Sequence, residues 1–560
     1  MQLRQVAALT ASTAFFFFPA NVKASLLRGV DGEFEIGDTL EITEDRPGTF
    51  VRTLIDYEDF SHDETFNIMV DDLIYEIDDV DVKELKSLES GQLVNIPKGV
   101  TLGTKTAKAK MNGAKIKPSK EGKKSKKKTT NLFDGNLEGT TDEQQYNLFQ
   151  YCSQLMYSPA IGNKSVVVVR VQTTDAVYSN SEAFLRSKVF GIGEGGDQFN
   201  LAVGYDQCSF GQLTFSPLTS QSGSGGVSIE NGVVTISVDV SVGGNNSCSL
   251  REVIANDVTT KIKAAFGIDK MQDLADYWMY CLPPFYCDGE KWSAYADINS
   301  YRSVYRDHWC NSPSAQMHEL GHNLNFGHSG EGDVGLDATY GDKSGMMGYS
   351  YGREDEGPVM CFNAAKSWQS GWYGPEGAHG DKTLEYSLGD GCLVKTLSGI
   401  ADYNTTSNKV LVKVVNPDIT GSDIFVAFNA QKGINRETKE AGNLVTVVKV
   451  AGGGGLLYSD AKLLGQLSSG ASYTNSDFGG ESLTVEVVSI SGSDSADVKI
   501  YFGSGCTNPP TPTPTLMPGQ SGPQFASYDS GLGAPKCSFG SSCDSGDLLG
   551  GRGVIASCPC

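Results

Sequence analysis

The sequence predicts a mixed α/β domain followed by an antiparallel β-sandwich. The first rests on a buried-strand run, Val166-Val167-Val168-Val169-Arg170-Val171, and on mixed helix and strand signals reaching about Tyr373. The second rests on alternating segments rich in Val, Ile and Thr after about Leu384. The 66 glycines in 560 residues agree, since glycine favours turns and β-structure over long helical bundles.

Taken in order, residues 1–24 read as a secretion signal. Arg4 supplies a positive charge, an apolar stretch runs from Val6 through Phe18, and Val22-Lys23-Ala24 fits a small-residue cleavage site. The apolar run is shorter than the roughly 20 residues of a membrane-spanning helix, and no later segment approaches that length. Residues 25–150 form an acidic segment that ends in a lysine-rich tether. Between residues 25 and 98 there are 20 acidic against 6 basic residues, with strand-like runs such as Phe66-Asn67-Ile68-Met69-Val70. Residues 105–128 hold eleven lysines, one acid (Glu121) and little to bury, which reads as an exposed, protease-sensitive tether.

The α/β domain is placed at residues 160–375. Within it, Gly232 to Val238 reads as a strand and Arg251 to Ala265 as a helix, so a sheet packed with helices is expected. The sandwich is placed at residues 380–503, with strands at Lys409 to Val415 and Leu483 to Val488. A Pro/Thr-rich linker at 504–524 leads to a tail at 525–560 with Cys537, Cys543, Cys558 and Cys560.

Charge and cysteine content narrow the function. The net charge of 45 − 67 = −22 repels phosphate backbones, which excludes nucleic acid as a partner of the folded part. All 13 cysteines lie at or after Cys152, and with the leader they indicate an oxidising, extracellular location. Sequons at Asn163, Asn245 and Asn404 agree with a secreted glycoprotein. The eight cysteines from Cys152 to Cys392 suit disulfides across the α/β region, and eight allow 105 pairings.

Three of the six histidines fall in His318-Glu319-Leu320-Gly321-His322-Asn323-Leu324-Asn325-Phe326-Gly327-His328. His318 and His322 are four apart, so one helix face can present both ring nitrogens to a single Zn²⁺. Ser312 suits the N-cap of that helix and Pro313 its first residue. His328 lies six residues beyond His322 and cannot share the face, so the chain has to turn sharply after Leu324. Three neutral imidazoles leave the fourth tetrahedral position for water, the arrangement of a catalytic zinc site.

This stretch resembles the H-E-x-x-H-x-x-G-x-x-H motif of the metzincin metalloproteases, with Asn325 in place of the glycine. Asn is the side-chain-bearing residue best suited to a left-handed turn, so the departure is mild. Together with Tyr340-Gly341-Asp342-Lys343-Ser344-Gly345-Met346-Met347-Gly348-Tyr349-Ser350-Tyr351, the match is closer to the gametolysin family, secreted algal proteases acting on cell-wall or matrix glycoproteins.

That resemblance implies an α/β (α+β) catalytic domain with a twisted mixed sheet and an active-site helix. It implies His318, His322 and His328 as Zn²⁺ ligands, and peptide-bond hydrolysis with Glu319 as general base. It also implies a methionine turn at Met347, with Met346 the other candidate, and Tyr349 as a transition-state hydrogen-bond donor. The expectation is a secreted zinc endopeptidase acting on protein or glycoprotein substrates. It is made as a latent precursor, with the acidic segment and tether as propeptide, and associates with matrix or cell wall. The competing reading is a non-catalytic matrix or adhesion protein using a metzincin-like fold. Gly191-Ile192-Gly193-Glu194-Gly195-Gly196 is not read as a dinucleotide site, since no clear strand precedes it. His62, His308 and His379 are read as exposed or structural.

Overall fold

A computed structural model describes, with short breaks, residues 39–118, 159–373 and 382–506, and strand segments at 27–28 and 34–35. The expected leader, the end of the lysine-rich stretch, Cys152, His379 and the tail lie outside the described residues. The N-terminal part is built on β1 (Arg46–Tyr57), β2 (His62–Val70) and β3 (Leu73–Ile77), paired antiparallel in sequence. It closes on its own core of Phe50, Ile68, Val94, Leu102 and Met111.

The expected tether does not begin at residue 105. Lys108–Lys110 is a strand paired with β3, and Ala109 and Met111 are fully buried. The reason is strand alternation, which turns lysines outward while the small or apolar residues between them face the core.

In the second part, β4 (Gly162–Gln172), β5 (Tyr277–Leu282) and β7 (Arg302–Arg306) run parallel, with β6 (Trp292–Asp297) antiparallel to β7. Leu213–Pro217 and Val233–Ser237 pair with β4 on its other side. The faces separate by period two. Val167, Val169, Trp278 and Tyr280 pack towards α1 (Leu250–Phe266), whereas Val166, Val168, Met279 and Cys281 pack towards α2 (Pro313–Asn323). Strand β6 is not an edge, because β1 pairs with it antiparallel and joins the two parts in one sheet of fourteen described strands. Thr53 of β1 donates to the buried carboxylate of Asp297 at 2.6 Å, and Arg302 bridges Asp297 and Glu252 at 2.9 Å each.

The C-terminal part holds a six-stranded and a four-stranded sheet around a shared core of Leu397, Val412, Val426, Leu483, Val485 and Val498. The antiparallel expectation needs correcting at two places. Thr383–Tyr386 is parallel to Leu411–Val414, and β8 (Ser329–Gly330) is parallel to β9 (Ala461–Leu467). Both pairings join strands separated by long stretches of chain, which parallel geometry requires.

The expected boundary at 375–380 is also not a break in packing. One core runs from Met317 and Leu320 to Val410, Phe425, Val448, Ala461 and Leu463. Four disulfides are described: Cys208–Cys361, Cys248–Cys287, Cys281–Cys310 and Cys392–Cys506. No helix among the described residues is long and apolar enough to cross a membrane.

Candidate metal centre

Helix α2 begins at Pro313, whose missing N–H costs nothing in the first turn, and Ser312 is the N-cap without a side-chain cap bond. Every residue of the helix is buried. His318 and His322 project together, with ring centroids 4.8 Å apart. Gly321 lies between them on the side of Met347. A Cβ at Gly321 would come within 2.5 Å of Met347 Sδ, so glycine lets the helix settle on that methionine. Met346 contributes its backbone, accepting from His318 Nδ1 at 2.8 Å.

The helix ends as its sequence anticipates. Asn325 has φ of 72°, the left-handed conformation that brings the chain round, and its N–H donates to His322 O at 2.9 Å. The turned backbone places Phe326 O where His322 Nδ1 donates to it at 2.8 Å. Gly327 does not carry the turn. Its role is close approach, since a Cβ there would meet Ser459 O and Asp460 Oδ1 at 2.6 Å. Asp460 Oδ1 accepts the His328 N–H at 2.9 Å, and Ala461 donates to His328 O at 2.8 Å. His328 thus reaches the helix pair, with ring centroids 5.4 Å from His318 and 4.8 Å from His322.

These rings suit a metal ion. A carbonyl can only accept, so His318 and His322 carry their proton on Nδ1 and turn Nε2 inward as a lone-pair donor. His322 Nε2 is buried with no hydrogen-bond partner, a state that is costly unless a cation takes the lone pair. Burial pushes all three imidazoles below their usual pKa, and at His322 and His328 the neighbouring rings push the same way, so the neutral ligand form is favoured. The ligand atoms of His318, His322, His328 and Asp56 all lie within 4.8 Å of one another. Glu319 is buried beside the first histidine.

Three residues at the centre were not nominated from the sequence. Asp56, on β1, has Oδ2 3.4 Å from His318 Nε2 and Oδ1 3.9 Å from His328 Nε2. Tyr340, at the end of α3 (Gly335–Tyr340), donates its hydroxyl to Asp56, and its ring lies tilted against that of His328 with centroids 4.3 Å apart. His62, read as exposed or structural, is half-buried and meets the rings of His328 and Tyr340 edge-on, 5.5 Å from each. No local motif marks Asp56 among its many acidic neighbours. Tyr349 lies outside the described residues. His308 packs on Trp309, away from the cluster.

Residues 166–441 match the family model described as Gametolysin peptidase M11. No curated protein matches the chain.

Proposed function

Because the chain belongs to the gametolysin-like metallopeptidase family, we infer that it is a secreted zinc-dependent endopeptidase of extracellular or cell-wall proteins, made as a latent precursor. The observation that carries this reading is the convergence of three buried histidines with Glu319 on the same helix. His318, His322 and His328 would hold the ion, whose Lewis acidity lowers the pKa of water and polarises a scissile carbonyl. Glu319 takes a proton from the attacking water and delivers it to the leaving amine. Met347, packed under Gly321, fixes the floor of the site, and Met346 O fixes the tautomer of His318.

The metzincin-like architecture is supported by the mixed sheet β4 to β7, its antiparallel strand β6 and the helix α2 beneath it. Secretion is supported by the leader sequence, by the four disulfides, and by exposed sequon asparagines Asn163 and Asn404. The two C-terminal sheets around one core support a sandwich.

The test is hydrolysis of casein by the processed protein. A chelator should abolish it and Zn²⁺ restore it. Glu319→Ala should lose at least about a hundredfold in rate while keeping its metal, since Glu319 is the base and not a ligand. An inert, metal-loaded processed protein would instead indicate the non-catalytic matrix or adhesion role.

A further inference from the structure

We propose that Asp56 is the group that closes the metal site in the uncut chain, taking the fourth ligand position that hydrolysis needs for water. This rests on the zinc-peptidase reading above and names how that site is regulated. Two ligands of one tetrahedral zinc stand about 3.3 Å apart, given metal–ligand bonds of about 2 Å. Asp56 Oδ2 lies 3.4 Å from His318 Nε2, and Asp56 is 3% exposed. Its other oxygen, Oδ1, lies 3.9 Å from His328 Nε2, so one carboxylate faces two of the three rings.

Strand geometry shows why this acid is the one presented. Ile55 and Tyr57 belong to the core on the α1 side, so Asp56 between them faces the α2 side. It is paired with Ala294 of β6, and the register shifts between Trp292 and Ala294, leaving Ser293 as an extra residue beside it. Such a bulge re-aims the neighbouring side chains, and here it lies next to the pair that contains Asp56. Tyr340 holds one carboxylate oxygen by its hydroxyl. His62, opposite Asp56 in the β1–β2 ladder, covers the cluster from the same hairpin. A single strand therefore covers β6 and also supplies a ligand.

The device is releasable. No cysteine precedes Cys152, so no disulfide anchors residues 39–118, and they have their own core. A cut in the lysine-rich stretch beyond residue 118 frees them to leave with Asp56.

The experiment uses full-length precursor, wild type, Asp56→Ala and Asp56→Asn, each loaded with Co²⁺ and kept uncut or cut in the lysine-rich stretch. Two readouts are taken: the change in the visible Co²⁺ spectrum on adding acetohydroxamate, and casein hydrolysis. Uncut wild type should show no spectral change and about a hundredth of the cut activity, as for a site open in about 1% of molecules. Both uncut variants should give the spectral change of the cut protein, and at least a tenfold gain in hydrolysis. After release of the N-terminal part all three share one sequence, so equal activity then shows that the variants folded. Uncut variants that stay silent and spectrally unchanged, with active cut forms, overturn the proposal and leave coverage by the strand as the block. Uncut wild type that already binds hydroxamate overturns it too. Cut wild type that binds metal but hydrolyses nothing sinks the peptidase reading instead.

Discussion

Two regions flank the histidine cluster, and each brings it one aspartate. Asp56 comes from the N-terminal sheet and points its carboxylate at imidazole Nε2 atoms. Asp460 comes from the C-terminal sheets and accepts the backbone N–H of His328. The same chemical group therefore faces imidazole nitrogens in one case and holds the backbone of a histidine in the other. The attachments differ accordingly. The N-terminal part has a core of its own and is joined through the pairing of β1 with β6, through Ile55 and Tyr57 in the core on the α1 side, and through polar contacts such as Thr53 to Asp297. The C-terminal part shares a core with the histidine helix and contributes β9 to pair with β8, directly after His328. One neighbour has a core apart from the histidine helix, and the other continues the core that holds it.

If that contrast holds, the largest effect belongs to Asp460. Asp460→Ala should weaken metal affinity of the processed protein by about 10- to 100-fold, the usual cost of losing support to a ligand. Competition with a chromophoric chelator measures it. Unchanged affinity would make the C-terminal region as dispensable as the N-terminal one.

Next come substitutions at the two contacts themselves. Gly327→Ala places a Cβ 2.6 Å from Ser459 O and should cost about 1–3 kcal/mol of folding stability in urea titrations. Thr53→Val strips a donor from the buried Asp297 carboxylate and should cost about 1–2 kcal/mol. That loss should appear as about tenfold weaker retention of the cut N-terminal part, with stability of the remainder unchanged. A fall in the remainder's stability would show that the two neighbours are not different in kind.

The smallest effect is expected of one substitution at Asn325, the exchange for glycine. Asn325→Gly should keep metal and activity, because glycine takes φ of 72° without strain. Asn325→Val should lose about 1–3 kcal/mol and with it some metal, since a β-branched residue is an outlier at positive φ. A valine variant with parental metal content would place the strain elsewhere in the loop.

The sequence by itself determined what is local. His318 and His322 share a face through the 3.6-residue period, Pro313 opens the helix, and Asn325 turns the chain, all within one helix and its exit. The strands at Phe66 to Val70 and Val166 to Val171, and the helix from Leu250 to Phe266, were legible for the same reason, since periodicity acts over a few residues. The start of the tether was misread because lysine count hid the alternating burial of Ala109 and Met111.

Only the tertiary structure decided that Asp56, out of 20 acids between residues 25 and 98, meets the histidines. That choice is made by the register of β1 on β6, where a slip of one residue would turn Asp56 to the opposite face. Tyr340 and Asp460 were hidden likewise, because they reach the site through a short helix and a parallel strand pairing far along the chain. Spacing in a sequence encodes which side chains share a face, whereas register between distant strands sets which faces meet.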